Sequence, residues 1–235
     1  MNLAESVQHY QAPRAARELV AAHPPLGIAG PTGSGKDTIG RYLMQSGNYS
    51  PVVSDTTRVP RKHNDGLEVN GVHYWFLDDE TATAKLQAGA YIEAKLVHGT
   101  TLYGTSIEAY RRVVDAGRTP LLVIDVQGME DLMDEFPNFE PILLLPPSFE
   151  VWQQRLDGRG DMDLEQKLRR LGTALVEMAK PFEKPRFNPV INTEVVDTAK
   201  VIESGEYKTE AYRSAALKVA KSLIDETRAF LDAHS

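Results

Sequence analysis

The sequence has no cysteine and no long hydrophobic run, and each absence excludes a class of protein. Without cysteine, the 235 residues can form neither disulfides nor thiolate metal sites. No stretch approaches the roughly 20 apolar residues that cross a bilayer, and residues 1–20 lack the apolar centre of a secretory signal. These features predict a cytoplasmic protein without a membrane partner.

Positive charge is also scarce. The chain has 26 Lys and Arg residues against 33 Asp and Glu, a formal net charge of −7. This balance argues against general nucleic-acid binding and predicts no nucleic-acid partner. An anionic ligand must therefore be held by a local group of cations.

Short apolar runs alternate with helical periodicity and predict an α/β fold. The runs "LGIA", "TPLLVIDV" and "PILLLPPS" are typical of buried parallel strands. "VHYWFL", "AYIEAKLVHG", "TLYGTS" and "VINT" also read as strands, and "PFEKPRFNP" as a loop. Helices are expected at residues 14–22, 38–46, 78–89, 106–116, 148–156, 163–179 and 210–233. This alternation predicts a parallel sheet with helices on both faces.

A glycine loop follows the first predicted strand. It comprises Gly30, Pro31, Thr32, Gly33, Ser34, Gly35, Lys36, Asp37 and Thr38. The glycines allow backbone N–H groups to turn toward phosphate oxygens, and the following helix adds its positive end. Because the loop lies between a strand and a helix, it predicts an ATP site in which Lys36 reaches the β- and γ-phosphates.

One position departs from the usual loop pattern. The residue after the lysine is normally Ser or Thr, whose hydroxyl helps to hold Mg²⁺, and here it is Asp37. Asp37 could contact a metal ion, or it could simply favour the first turn of its helix. The pattern leaves both interpretations open.

A second group of cations follows the loop. Arg58 and Arg61 lie in "SDTTRVPR", and Tyr74 follows in "EVNGVHYWF". Arginines suit bidentate recognition of phosphate, although two loop arginines can also be ordinary solvated surface. Together with the glycine loop and the segments "YIEA", "YGTS", "IDVQG", "LPPS", "RLDGRG" and "RRL", they make residues 27–192 resemble guanylate kinase.

The resemblance implies a fold and a reaction. It implies a P-loop NTPase-type parallel sheet wrapped by helices, with a small acceptor-binding lobe at about 54–112 and a lid at about 156–172. This domain is expected over residues 25–205, after an N-terminal helical extension (1–24) and before a C-terminal helix (206–235). The implied reaction is phosphoryl transfer from ATP to GMP or dGMP with Mg²⁺, by a monomer or a homodimer whose partners are small nucleotides.

The resemblance also assigns residues. Those that grip the acceptor phosphate or line its pocket are Ser54, Arg58, Arg61, Glu68, Tyr74 and Tyr103. Those that read guanine are Glu93, Thr105 and Asp125, whose carboxylates accept from N1–H and the 2-amino group. The cations for the transferring phosphoryl group are Lys36, Arg155, Arg159 and Arg170, and Asn192 lies near the donor base. Glu93 and Asp125 could instead be ordinary strand-end acids, and Trp75 and Trp152 are expected only in the core.

Besides Asp37, two features depart from the family pattern. The family's strand ends in Asp-Ile-Asp-x-Gln-Gly, and its first acid helps to hold the metal; here Val123 replaces that acid. The connector between Arg61 and Glu68 is longer by about four residues. Our hypothesis is that Asp37 replaces the missing acid, directly or through water.

Two other functions remain open from the sequence. The spelling "GKD" also occurs in related ribose bisphosphate kinases, which would not need Glu93, Thr105 and Asp125. Guanylate-kinase-like domains of scaffold proteins bind peptides without catalysis, and the departures at Asp37 and Val123 would suit such a domain. Lys36, the glycines and the lid arginines favour the kinase.

Overall fold

The computed structural model describes residues 2–63, 66–97, 99–158 and 163–234. In the first half of the chain the elements are α1 (Leu3–Gln8), α2 (Arg14–Ala22), β1 (Leu26–Ala29), α3 (Lys36–Gln45), β2 (Tyr49–Pro51), β3 (Asp55–Thr56), β4 (Lys62–His63), β5 (Gly66–Leu67), β6 (Trp75–Phe76), α4 (Asp79–Gln87), β7 (Tyr91–Val97), β8 (Thr101–Ser106) and α5 (Ile107–Asp115). In the second half they are β9 (Thr119–Val123), α6 (Val126–Glu135), β10 (Ile142–Leu145), α7 (Phe149–Asp157), α8 (Leu164–Glu183), β11 (Asn188–Ile191), α9 (Val195–Ser204), a 3₁₀ turn (Glu206–Lys208) and α10 (Glu210–Asp232).

The chain divides into two compact units, and each is continuous in space but not in sequence. The first unit contains Met1–Pro25 and Asn48–Pro120, and the second contains Leu26–Gly47 and Leu121–Ser235. The glycine loop therefore belongs to the second unit. The arginines of "SDTTRVPR" belong to the first.

The second unit is built on a parallel sheet. Its strands lie in the order β11-β10-β1-β9, and each pair of neighbours is parallel. Ile28 of β1 and all four residues of β10 are inaccessible to solvent, as expected for strands covered on both faces. The predicted α/β fold with a parallel sheet is confirmed. Because the strands are parallel, their carboxyl ends meet at one edge, where the glycine loop begins.

The first unit contains a separate, mixed sheet. Its strand order is β6-β3-β8-β7, and β7 and β8 form an antiparallel hairpin whose register shifts between Tyr91 and Glu93. A short antiparallel pair, β4 and β5, lies in the connector between Arg61 and Glu68. The predicted strand in "VHYWFL" is reduced to two residues, Trp75 and Phe76.

The helix predictions were incomplete in the second half of the chain. Helix α6 was not predicted; Asp125 caps it by accepting a hydrogen bond from the Gly128 N–H at 2.7 Å. The loop predicted for "PFEKPRFNP" is shorter than expected, because α8 continues through Pro181 to Glu183 and β11 begins at Asn188. Pro181 is buried in this helix, and its packing outweighs the one backbone hydrogen bond that proline removes. Pro189 lies in β11, at the end of the strand order, where proline is tolerated.

The terminal helices pack on different units. Helix α10 contacts α7, α8 and β11 of the second unit and buries Ala216, Ala220 and Leu223 along one stripe. Helix α1 contacts α4 and β7 of the first unit. Among the described residues, no helix is both long and apolar enough to cross a membrane.

Candidate active site

The glycine loop connects the buried strand β1 to helix α3, which begins at Lys36. Gly35 precedes the helix with φ +90°, a left-handed conformation that side chains disfavour, and a Cβ at this position would collide with the amide of Asn192. Within the described residues, nothing accepts a hydrogen bond from the backbone N–H of Gly33, Gly35 or Lys36. Unpaired N–H groups at the start of a helix form a binding site for an anion such as phosphate.

Two buried side chains hold the loop from behind. The indole Nε1 of Trp152 donates to the carbonyl of Thr32 at 2.7 Å, and the amide Nδ2 of Asn192 donates to the carbonyl of Ser34 at 2.6 Å. Thr198 donates in turn to the Asn192 Oδ1 at 3.2 Å. Asn192 is 4% exposed, so the structure gives it a role in positioning the loop. Its contact with the donor base stays a prediction.

Trp152 was predicted only as a core residue, and the structure adds a polar contact with the loop. Its ring is buried, as predicted, but its single N–H holds the loop backbone. A buried tryptophan needs a partner for this N–H. The sequence signal was the helical position of Trp152 in α7, directly after "LLLPPS", but nothing in that pattern names the loop as the partner.

Lys36 is half-buried and interacts electrostatically with Glu177, a residue that the sequence analysis did not single out. Burial raises the pKa of the Glu177 carboxyl, while the nearby Lys36 ammonium lowers it and Asp125 raises it. Glu177 lies on α8, 141 residues along the chain from Lys36. No local motif connects positions so far apart, which is why sequence reasoning missed it.

Asp37 and Val123, two of the three departures from the family pattern, lie near each other in the second unit. Asp37 is exposed in the first turn of α3. Gly40 lies one turn further along the same helix, and a Cβ built on it would be 2.7 Å from Cγ2 of Val123 at the end of β9. Residues three apart lie on the same helix face. Val123, which stands where the family has a carboxylate, therefore contacts the same face of α3 that carries the additional carboxylate of Asp37.

The predicted lid arginines are not brought together. Arg155 donates through NH2 to the backbone carbonyls of Asn192 and Thr193 at 3.1 and 3.3 Å, and burial lowers its pKa. Its NH1 is buried and has no acceptor among the described residues. Arg170 is exposed on α8, and Arg159 lies outside the described residues. The NH1 of Arg155 is thus a buried donor without a partner among the described residues, as are the Ser34 hydroxyl and the Gln153 amide of the same unit.

In the first unit, five of the predicted residues form one group, which we call the acceptor cluster: Arg58, Arg61, Glu68, Tyr74 and Tyr103. The Arg58 guanidinium donates to both carboxylate oxygens of Glu68, at 2.8 and 3.0 Å, and through Nε to the Tyr103 hydroxyl at 2.9 Å. These hydrogen bonds, above all the one to Glu68, raise the pKa of Arg58.

The rest of the acceptor cluster surrounds this ion pair. Glu68 also accepts from the backbone N–H of Arg61 at 2.7 Å. The Tyr74 ring lies 5.4 Å from the Arg58 guanidinium carbon and packs edge-on against Tyr103. Burial raises the pKa of the Tyr74 hydroxyl. Charged and hydroxyl donors are thus concentrated around one carboxylate, although the side chain of Arg61 is exposed.

The residues predicted to read guanine are divided between the units. Glu93 and Thr105 are partners across β7 and β8, and the Thr105 hydroxyl donates to Glu93 Oε1 at 2.6 Å. Asp125 belongs to the second unit and is exposed, with one oxygen capping α6. Ser54, at the predicted edge of the pocket, is half-buried directly before β3. Among these residues the structure describes only the contact between Glu93 and Thr105.

A phosphate loop with its lysine on a parallel sheet, and a separate unit that carries an arginine–tyrosine–carboxylate cluster, define the class of nucleoside monophosphate kinases. Comparisons with known proteins agree. The sequence model of the family "Guanylate kinase" matches residues 23–204. The chain belongs to the guanylate kinase family.

Individual relatives cover most of the chain. It is 39% identical over 178 residues to a guanylate kinase of Leifsonia xyli subsp. xyli, covering 74% of this chain and 67% of that one. It is 34% identical over 199 residues to a guanylate kinase of Polaromonas sp., covering 83% and 94%. The crystal structure of guanylate kinase from Anaplasma phagocytophilum superposes with a TM-score of 0.52 at 27% identity, covering 79% of this chain and 87% of that one.

Proposed function

We propose that this chain transfers the γ-phosphoryl group of ATP to GMP, giving ADP and GDP. The observation that carries the proposal is that one chain of this family retains both halves of the reaction's binding equipment: a phosphate loop with unpaired N–H donors, and the acceptor cluster with the Glu93–Thr105 pair. Phosphoryl transfer needs little covalent chemistry from the protein, so positioning and charge neutralisation carry the catalysis.

On the donor side, the loop binds and orients the triphosphate. The N–H groups of Gly33, Gly35 and Lys36 donate to phosphate oxygens, and the Lys36 ammonium neutralises charge at the β- and γ-phosphates. The hydrogen bonds from Trp152 and Asn192 to the loop carbonyls fix these donors before ATP arrives. Preformed donors need no reorganisation during the reaction, which is the main source of electrostatic catalysis.

On the acceptor side, the cluster binds the phosphate and the strand pair reads the base. Glu68 holds Arg58 in one orientation, and the remaining donors of Arg58, Arg61 and the tyrosine hydroxyls bind the GMP phosphate. The Glu93 carboxylate accepts from the donor groups on guanine. Adenine lacks this donor pair and would leave the carboxylate unpaired, which costs binding free energy. The groups assigned above act on the phosphate and the base, which dGMP shares with GMP, so we expect dGMP to be an acceptor as well.

The residues near α3 fit one Mg²⁺ ion carried in with ATP. Asp37 supplies an exposed carboxylate on the helix face that Val123 contacts, and Mg²⁺ usually keeps several waters and needs only one or two protein carboxylates. The bound ion would neutralise the β- and γ-phosphates. We infer that Asp37 takes the place of the family's strand-end acid in holding it.

This inference about Asp37 can be tested without measuring catalysis. Mn²⁺ is a paramagnetic substitute for Mg²⁺, so its binding to the protein–ATP complex is measurable by electron paramagnetic resonance. Asp37→Asn should weaken Mn²⁺ binding to the ATP complex by about tenfold and leave GMP binding unchanged. Adding Val123→Asp should restore the Mn²⁺ affinity, whereas the uncharged control Val123→Asn should not. Equal Mn²⁺ affinity in Asp37→Asn and wild type would contradict the role of Asp37.

The proposed reaction is tested by ADP release with Mg-ATP and one acceptor at a time: GMP, dGMP, AMP or a ribose bisphosphate. We expect turnover with the two guanine nucleotides only. Turnover with the ribose bisphosphate would replace the proposal by a sugar-phosphate kinase. Binding of GMP without turnover would indicate a non-catalytic binding domain. The relatives reported above are all named guanylate kinases, so they favour neither alternative.

A further inference from the structure

We propose that Tyr10, in the segment before the family domain, is a positioning residue for the guanine-reading carboxylate of Glu93. Residues 1–22 precede the region that the family model matches. In the structure they belong to the first unit, together with β7 and the acceptor cluster. The proposal rests on the function proposed above for Glu93.

The segment is anchored in the core of the first unit. Leu3 of α1 joins a buried group that includes Leu86 of α4 and Leu102 of β8, and Val7 and Tyr10 pack against it. Helix α1 is itself well formed, because Asn2 and Glu5 make a capping box. Burial of these apolar side chains holds the segment against the first unit through the hydrophobic effect.

The hydroxyl of Tyr10 satisfies both backbone groups of one residue in β7. It donates to the carbonyl of Tyr91 at 2.6 Å and accepts from the N–H of Tyr91 at 2.9 Å. The two rings also meet edge-on, with centroids 6.2 Å apart. β7 is the last strand in the order β6-β3-β8-β7, so its outer backbone groups have no neighbouring strand in that sheet. Buried backbone groups need a partner, and the Tyr10 hydroxyl supplies it.

Tyr91 lies where the strand is irregular. Tyr91 pairs with Ser106, but Glu93 pairs with Thr105, so two residues of β7 advance against one residue of β8. Such a bulge bends the strand and changes the direction of the side chains that follow it. Glu93 is the first residue after this bulge, and its direction therefore depends on how the bulge is held.

The side chain of Tyr91 fixes the same point from the other side. Its hydroxyl donates to Asp55 at 2.8 Å, and Asp55, which is buried, forms an ion pair with the half-buried Lys85. Asp55 directly follows Ser54, at the predicted edge of the acceptor pocket. The backbone of Tyr91 is thus held by Tyr10 and its ring by Asp55, and together they set the position from which Glu93 reaches Thr105 and the base.

The test uses Tyr10→Phe, which removes only the hydroxyl and keeps the ring. Tyr110→Phe is the matched control, since it also removes one tyrosine hydroxyl bond to a backbone carbonyl in the first unit, that of His23 at 2.5 Å, which lies outside β7. We expect Tyr10→Phe to raise the KM for GMP about fivefold with the KM for ATP unchanged. Tyr110→Phe should leave both KM values unchanged.

A double-mutant cycle with Glu93→Gln distinguishes positioning from general stability. If Tyr10 acts through Glu93, Tyr10→Phe should raise the KM for GMP in the wild-type background and add nothing in the Glu93→Gln background. An equal increase in both backgrounds, or an equal effect of Tyr10→Phe and Tyr110→Phe, would overturn the proposal. If wild type itself does not phosphorylate GMP, the proposed function fails first, and the two failures are distinguishable.

Discussion

In the second unit, the groups expected to meet phosphate are mainly backbone N–H groups of the glycine loop, whereas in the first unit they are side chains. The loop donors have no acceptors among the described residues, but the charges of Arg58 and Glu68 already neutralise each other. A site made of backbone groups requires glycines at fixed spacing, so a short sequence motif is enough to predict it. A side-chain cluster depends on residues far apart in sequence, so it becomes visible only in the fold.

This comparison predicts that single substitutions affect the two substrates separately. Lys36→Ala has the largest expected effect, because Lys36 supplies the only loop side-chain cation and acts where charge develops during transfer. We expect kcat to fall by about 10²–10³-fold, with GMP affinity retained. Steady-state kinetics at saturating GMP measure it, with Lys200→Ala on α9 as a control that should match wild type. Unchanged kcat would mean that the loop does not carry the reaction.

Glu68→Gln should break the acceptor cluster. Arg58 and Glu68 are nearly buried, with side chains 11% and 7% exposed, and removing one partner of such a pair leaves the other charge unsatisfied. We expect the KM for GMP to rise about tenfold and the free energy of unfolding to fall by about 1–3 kcal/mol. Glu108→Gln breaks an exposed pair with Arg112 and should change neither value measurably. Equal effects of the two substitutions would show that burial of the Glu68 pair is unimportant.

Trp152→Phe should perturb the loop more mildly. The substitution keeps most of the buried ring but removes the hydrogen bond to the Thr32 carbonyl. We expect the KM for ATP to rise by about threefold to tenfold, while the KM for GMP stays constant. Trp75→Phe, in the first unit, is the control and should leave the KM for ATP unchanged. A shift in the KM for GMP alone would reverse the assignment of Trp152 to the ATP site.

Glu177→Gln has the smallest expected effect and is best seen as a dependence on pH. Because burial raises the pKa of Glu177 in the folded chain, the folded state holds the proton more tightly than the unfolded state. The folded state is therefore destabilised as the pH rises above about 4.3, the pKa of a glutamate in the unfolded chain. Glutamine does not titrate, so the variant is not destabilised in this way. Its thermal midpoint should therefore exceed that of wild type by more at pH 8 than at pH 5. A difference independent of pH would contradict the buried, titrating carboxyl.

Much of the second unit could be predicted from the sequence, and less of the first. Strands β1, β9 and β10 are short apolar runs, and the loop motif fixes the helix that follows. Helices α6 and α9 were missed, although Asp125 is a typical N-cap residue. The sequence pattern assigned Arg58 and Glu68 to the same acceptor site but could not show that they bind each other. That contact depends on how the connector between Arg61 and Glu68 folds, and this connector contains its own hairpin, β4 and β5.

The central claim is that the two units hold the two substrates by separate means, and isothermal titration of one ligand at a time tests it most directly. A non-hydrolysable Mg-ATP analogue and GMP are titrated separately into wild type, Lys36→Ala and Glu68→Gln. The account predicts that wild type binds both, that Lys36→Ala weakens only the ATP analogue, and that Glu68→Gln weakens only GMP. Weakening of both ligands by either substitution, or failure of wild type to bind GMP, would contradict it.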